Sequence, residues 1–546
     1  MKDKYILGLN GCHCRSHDAA ACLIKNNQII AIAEEERFIR QKRALDKQPI
    51  NSAKFCLEKA NIGIKDLSAI AVGFKLSKRR LSDVSSILPK EMFELDKKIL
   101  VIDVKHHLSH AASVFYTSEF KEAAILVIDG QGENESTSIF YADSKDITFL
   151  KSYSTSESLG FLYSSISEFC GLGGFGAGKL MGLSAYGKPV YGKIINSIYS
   201  SVRLDDDHLP DNQTEFSSYV ASQLIRKGFK PAQIKIRFNE FTGKIEKLPV
   251  LLRIHKDLAA SAQSFIENKM LDLAREAEEL TGSQNLCLSG GVALNCVANS
   301  IVENARIFKR TFIQPACEDS GSALGAALAV SKEKISGKIT PYYGSSYSNA
   351  SIRKILHMMK IRYKEYDDII KITAKLLTRK KIIGWFQGGM EYGPRALGNR
   401  SVLADPRDEN MKVILNNAKG REIWRPFGPS VLEERGEEIF KNYVPSPFML
   451  KSFEIKKEWI EKIPAVVHVD KSTRPQTVNR RDNGIYYNLI KEFYNLTGVP
   501  MIVNTSFNYA GEPMVCSPHD AIRTFFSSGL DYLVMGDYLI DKGVYE

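Results

Sequence analysis

The stretch Lys105-His106-His107-Leu108-Ser109-His110 places three of the chain's ten histidines within five residues. On a helix, residues four apart share a face, so His106 and His110 can reach one ion while His107 points elsewhere. Asp129 closes the apolar run AAILVI, where an ionised carboxylate is costly without a partner. Asp319, in QPACEDSGSALGAAL, is a second such carboxylate, although capping a small-residue helix is an equal use for it. Two histidines and two aspartates suit Fe(II), Mn(II) or Zn(II), with positions left open for substrate. His-x-x-x-His alone also fits capping or core histidines, so only the four residues together make a site.

Arginines form the second constellation. QGGMEYGPRALGNRS carries Arg395 and Arg400, KGREIWRPFGPS carries Lys419, Arg421 and Arg425, HVDKSTRPQTV carries Arg474, and VNTSFN carries Asn504. A guanidinium fork matches phosphate oxygens, and its repeated use in Gly/Pro-bounded, aromatic-rich loops predicts a phosphate pocket. Taken singly, each arginine reads as well as a surface ion pair. LCLSGGVALNCVAN reads as strand, Gly290-Gly291 turn and helix, with Asn295 at the turn's end. Such a turn lets backbone N–H groups approach a phosphate or ribose. With DGQGE and GGFGAGK it makes three glycine turns and favours a nucleotide cleft, without Walker or G-x-G-x-x-G spacing. GCHCRSHDAAACLI sets His17 and Asp18 before a buried strand, as a general base or as a hydrogen-bonded turn.

These residues need a scaffold. A length of 546 residues implies more than one domain. Residues 5–9, 19–24 and 28–33 read as an antiparallel opening meander, 99–104 and 123–128 as strands around a helix at 106–116, and TSIFYA as a further strand. The clearest helix spans 257–280, started by Asp257, whereas 171–188 is too rich in glycine for a regular element. A polar stretch at 331–349 reads as a linker, after which KIIGWFQGG opens a second α/β unit. Two strand–Asp–Gly turns hint at an internally duplicated fold. The division expected is an α/β lobe over 1–335, a linker over 336–350 and a smaller α/β lobe over 351–546.

Composition, 44% hydrophobic and 25% charged, is that of a soluble globular protein. No run approaches the roughly 18–20 apolar residues of a membrane span, and MKDKYILGLNG reads as a first strand and not a signal peptide. Nine cysteines lack paired spacing, with Cys12 and Cys14 too close for a zinc knuckle, so reduced cytoplasmic thiols are expected. The net charge of +11 is dispersed, which argues for a solvated surface and against a nucleic-acid face.

Together, SHDAAACLI, AEEERFIRQKR, HHLSHAAS, VIDGQGE, GGFGAGKLMGLSAYG, LSGGVALNCVAN, MEYGPRALGNRSVLADPR, WRPFGPSV, HVDKSTRPQTV and NTSFNYAGEPMV resemble the bacterial O-carbamoyltransferases of antibiotic, nodulation-factor and related natural-product pathways. The resemblance runs nearly end to end. It implies that a smaller YrdC-like lobe converts carbamoyl phosphate and ATP, as its Mg complex, to carbamoyl adenylate. A large lobe, similar to the duplicated actin/Hsp70-like (ASKHA) transferase of tRNA threonylcarbamoyl synthesis, would pass the carbamoyl group to a small-molecule hydroxyl. It further implies Fe(II) on His106, His110, Asp129 and Asp319, and an adenylate site at Gly290, Gly291 and Asn295. Carbamoyl phosphate would meet Arg395, Arg425, Arg474 and Asn504, with Lys419 beside the ATP phosphates, His17 as the base, and a homodimer. Gly389 departs from the family's QGRME and puts one anion contact in doubt. The alternatives are a tRNA threonylcarbamoyl-type enzyme, and a nucleotide-binding scaffold without catalysis.

Overall fold

The computed structural model describes residues 3–11, 16–74, 99–204, 212–239 and 244–543; Cys12 and Cys14 lie outside them. The opening strands are β1 (Tyr5–Asn10), β2 (Ala20–Lys25), β3 (Gln28–Glu34), β4 (Leu67–Val72) and β5 (Leu100–Asp103), arranged β3-β2-β1-β4-β5. Within it β1, β4 and β5 run parallel. A second sheet is built from β6 (Ala123–Ile128), β7 (Glu135–Ala142) and β8 (Ile147–Ser154). After a separate antiparallel ribbon of β9 (Ile234–Asn239) and β10 (Lys244–Pro249), β11 (Asn285–Ser289) and β12 (Arg310–Ile313) complete that second sheet. Its order, β8-β7-β6-β11-β12, repeats that of the first, with β11 and β12 parallel to β6. Every residue of β6 and β11 is buried, as expected of near-continuous apolar strands covered on both faces.

The described residues divide into two compact units: Met1–His13, Ile24–Gln28 and Ile64–Ile339 form the first, and Cys14–Leu23, Ile29–Gly63 and Thr340–Glu546 the second. In the first unit the helix His106–Phe115 lies against the helix Ser322–Ser331, whose sequence SALGAALAVS is nearly all small residues. Small residues allow close approach. A Cβ added to Gly325 would stand 1.7 Å from the carbonyl oxygen of Ser109, so no side chain fits at the crossing.

Two expectations are corrected here. The long helix is Arg253–Thr281, so Asp257 does not start it; Asp257 is buried and accepts from the backbone N–H of Lys188 at 2.7 Å. The stretch 171–188 does contain a helix, Ala177–Ser184, which buries Leu180, Gly182 and Leu183 and packs on the long helix. Tertiary burial there overrides the poor helix propensity of glycine.

In the second unit, β13 (Lys364–Glu365), β14 (Ile383–Phe386), β15 (Arg400–Ala404) and β16 (Gly428–Leu432) belong to one large sheet. A two-stranded piece of β17 (Phe453–Glu454) and β18 (Ser472–Thr473) stands apart from it. With β19 (Gln476–Val478), β20 (Met501–Ser506), β21 (Tyr532–Met535) and β22 (Tyr538–Asp541), the large sheet runs β13-β22-β21-β14-β15-β20-β16-β19. Its core includes the fully buried Trp385, Tyr486, Phe493 and Phe507.

Seven described cysteines are free and buried. Among the described residues no helix is long and apolar enough to cross a membrane.

The helix crossing makes a prediction of opposite sign at two glycines. Gly325→Ala should cost at least about 1–3 kcal/mol in chemical denaturation, the usual range for overpacking. Gly178→Ala, in a helix with nothing within 4 Å of the added Cβ, should leave stability unchanged or raise it by up to about 1 kcal/mol.

Candidate metal centre and anion pocket

The helix His106–Phe115 presents His106 and His110 on one face, as the spacing requires. Their Nε2 atoms are 3.1 Å apart. Asp129 Oδ2, at the end of β6, lies 3.3 Å from both, and Asp319 Oδ1 lies 3.5 Å from both. All four ligand atoms fall within 4.8 Å of one another. Bonds of about 2.0–2.2 Å from a first-row ion place tetrahedral ligand atoms about 3.3–3.6 Å apart, so the set can hold one such ion. Asp319 begins a short 3-10 turn; the helix after it starts at Ser322, with Gly321 and not Asp319 at its N-cap.

His106, His110 and Asp129 are each oriented from behind, as metal ligands require. His106 Nδ1 is 3.1 Å from the Gly73 carbonyl, and His110 Nδ1 is 3.3 Å from Ser289 Oγ. Asp129 Oδ1 accepts from the N–H of Gly130 at 2.8 Å and of Gly291 at 3.1 Å, leaving Oδ2 toward the histidines. Burial pulls the His106 and His110 pKa values down, but Asp319 and Asp129 outweigh it and hold both above the ordinary range. For Asp129, burial and Asp319 push upward, yet hydrogen bonds from both histidines leave its pKa well below the usual carboxylate range. The two carboxylates thus favour positive charge at this spot, which a bound cation would supply. His107 faces away: its Nδ1 is 2.7 Å from Ser138 Oγ, and burial, then His106, lower its pKa to about 3.

The Gly290-Gly291 turn runs from β11 past Asp129. Gly290 sits at φ +89, and a Cβ there would meet the Ile128 carbonyl at 2.2 Å, so only glycine fits. Asn295, expected to line a nucleotide site, caps the helix Cys296–Asn304 through Ala298 N–H. It also exchanges two hydrogen bonds, of 3.0 and 3.1 Å, with Gln263.

The second unit gathers cations. Arg421, Arg425 and Arg474 are each half-buried and close enough to repel one another. Burial first, then Arg425 and Arg474, bring Arg421 down to about 9, with Glu422 opposing; Arg425 is lowered by burial and Arg474. The Nε atoms of Arg421 and Arg474 are buried with no hydrogen-bonding partner among the described residues. Lys42, which sequence reasoning missed, joins them. Water reaches its surface, yet surrounding protein desolvates it, and this together with Arg421, Arg43 and Arg425 brings its pKa to about 8. Arg395 lies half-buried in the turn after Gly393.

Three expected ligands serve the frame as the structure stands. Lys419 is 1% exposed and donates to the carbonyls of Ser506 and Asn508 and to Asn508 Oδ1. Arg400 spends its guanidinium on the carbonyls of Gln387, Asn399, Ser345 and Gly388, over the Phe386 ring. Asn504, 2% exposed, donates from Nδ2 to Ala396 O, Ser430 Oγ and Gln476 Oε1, while its Oδ1 has no donor among the described residues. At Gly389 a Cβ would meet the Tyr342 carbonyl at 2.4 Å, so an arginine there would have to displace that backbone. His17 belongs to this unit, its Nδ1 3.0 Å from Asp18 Oδ2, with an Arg43 Nη1 3.5 Å from the same oxygen.

Two family models match the chain: "Carbamoyltransferase N-terminus" over residues 75–328 and "Carbamoyltransferase C-terminus" over 374–542. The nodulation protein NolNO of Sinorhizobium fredii is 35% identical over 96% of this chain and 79% of its own length. An uncharacterized protein of Synechocystis, sll1178, is 34% identical over 98% and 97%, and MJ1051 of Methanocaldococcus jannaschii is 31% identical over 98% and 99%.

Metal retention separates the three histidines. His110→Ala and Asp319→Asn should each bring the bound ion from about one per chain to under about a tenth after desalting, by elemental analysis, since both remove a direct ligand. His107→Gln should keep about one.

Proposed function

The chain belongs to the carbamoyltransferase family, and on that premise we propose that it activates carbamoyl phosphate with ATP and transfers the carbamoyl group to the hydroxyl of a small-molecule acceptor. The observation that carries this reading is the presence of two charge sites of opposite demand, one buried and one half-buried. One unit holds a cluster fit for a cation, the other a cluster of cations fit for phosphate groups. The repeated strand order of the two five-stranded sheets supports a duplicated actin/Hsp70-like fold, and the eight-stranded mixed sheet of the second unit takes the YrdC-like role.

In the activation step, water cleaves the P–O bond of carbamoyl phosphate and phosphate leaves. The carbamate oxygen then attacks the α-phosphorus of ATP, bound as its Mg complex; the bond from that phosphorus to the β-phosphate oxygen breaks, pyrophosphate leaves and carbamoyl adenylate remains. Arg395, Arg425 and Arg474 bind the small dianion, and the repulsion between Arg425 and Arg474 is relieved by it. Arg421 and Lys42 extend the same positive surface toward the longer polyphosphate. Lys419 acts behind them, holding the Ser506–Asn508 loop.

In the transfer step the acceptor oxygen attacks the carbamoyl carbon and AMP leaves. The acceptor's proton passes to His17, whose Nδ1 is turned to Asp18, the arrangement that raises the basicity of the other ring nitrogen. The backbone N–H groups of the Gly290-Gly291 turn receive the adenylate. His106, His110, Asp129 and Asp319 would hold Fe(II), with Mn or Zn as chemically acceptable substitutes, and a bound ion supplies Lewis-acid polarisation of a carbonyl or phosphate oxygen.

Pyrophosphate release from ATP should depend on carbamoyl phosphate, and Arg474→Ala should lower it roughly a hundredfold, the scale of losing one charged contact to a developing phosphate. Release that follows threonine and bicarbonate in place of carbamoyl phosphate would overturn the donor assignment. The pH dependence has a definite sign. Lys42 is charged below its pKa of about 8, so KM for the phosphate substrates should rise as pH passes through that value. Lys42→Gln should remove that inflection and leave a uniformly higher KM.

A further inference from the structure

The turn that carries Arg395 is fixed from two sides. From within its own loop, Glu391 is 2% exposed and its Oε1 accepts the N–H groups of Leu397 at 2.8 Å, Asn399 at 2.8 Å and Arg400 at 3.1 Å. From far away in sequence, one ion pair takes both polar groups of a single residue. Glu34 Oε1 accepts from Gly393 N–H at 2.6 Å, and Arg37 Nη2 donates to the Gly393 carbonyl at 2.9 Å, across 356 residues. Arg37 Nη2 and Glu34 Oε2 are themselves 2.8 Å apart, with side chains 6% and 8% exposed, and Arg37 is paired to Glu36 as well. Gly393 has φ +95, so the turn is one that few other residues adopt.

The neighbours on the same short helix, Glu35–Ile39, continue the grip. Phe38 packs on the cluster of Met390, Ala396, Met514 and Cys516, in which Ala396 is the residue next to Arg395 in the chain. Just beyond the helix, Arg40 donates to the Pro513 carbonyl at 2.9 Å and pairs with Asp520 Oδ1 at 3.3 Å. All of these residues fall in the second unit.

A buried ion pair is a poor device for stability alone, because an apolar contact of the same shape stabilises as well or better. Its use on both ends of one residue, two positions before Arg395, fits a need for direction. We propose that Glu34 and Arg37 are positioning residues for carbamoyl-phosphate recognition: they set the Gly393 turn and thereby aim Arg395. This inference rests on the activation reading above. It makes a segment that lies before both matched family regions part of the donor site.

The test uses the full chain, with KM for carbamoyl phosphate read from pyrophosphate release and binding of carbamoyl phosphate read by calorimetry. Glu34→Gln keeps Arg37 paired to Glu36, so the fold should hold. KM should rise about tenfold with kcat within about twofold, the cost of a misaimed substrate clamp. Arg37→Ala should do at least as much and Arg37→Lys should recover most of the loss. Melting temperature and metal retention of Glu34→Gln should match the parent chain. An unchanged KM in a well-folded Glu34→Gln overturns the inference. So does loss of melting temperature and metal together in both Glu34→Gln and Arg37→Lys, which would make the pair general scaffolding. If the parent chain itself binds no carbamoyl phosphate, the donor reading fails and the positioning role fails with it.

Discussion

Two carboxylates and two imidazoles meet in one buried space, with the Nε2 atoms 3.1 Å apart and Asp129 Oδ2 at 3.3 Å from each. That crowding is the constraint the first unit is arranged around. Like-charged carboxylates do not stay together in an apolar interior unless positive charge lies between them. The backbone meets the demand with means suited to it. A helix spaces the histidines, a strand end delivers Asp129, and a 3-10 turn delivers Asp319. The helix of small residues after Asp319 lets the histidine helix come close, and at Gly325 that closeness admits no side chain.

The second unit solves the opposite problem. Burial and the positive charge of their neighbours lower the affinity of Arg421, Arg425 and Lys42 for protons, and two guanidinium Nε atoms lie buried without partners among the described residues. Such a cluster gains from an anion as the first gains from a cation. The chemistry of a carbamoyl donor calls for both: phosphate groups to be gripped while they leave, and a carbonyl or phosphate oxygen to be polarised while the group moves.

Much of this was legible in the sequence because it rests on local rules. The i, i+4 histidines, the strand before Asp129 and the strand–Gly-Gly–helix order of residues 285–304 follow from spacing and from turn chemistry. What could not be read depends on tertiary partners. Asp319 reads equally as a cap or a ligand in the sequence, and only the fold puts Gly321 at the N-cap and Asp319 Oδ1 3.5 Å from both histidines. The helix Ala177–Ser184 is held by packing that its glycines conceal. Lys419 and Arg400 look like anion ligands in a string of letters but turn inward to carbonyls. Lys42 and the Glu34–Arg37 pair join the arginine loops from hundreds of residues away, a distance at which no spacing rule operates.

The most direct test of the opposing-charge account is X-ray absorption at the iron edge on the chain loaded with one equivalent of Fe(II) and desalted. The account expects one retained ion per chain, with outer-shell scattering from two imidazoles and the rest of the shell oxygen, and loss of one imidazole in His106→Ala. An ion that desalts away, or a shell of oxygen ligands without imidazole, would contradict it.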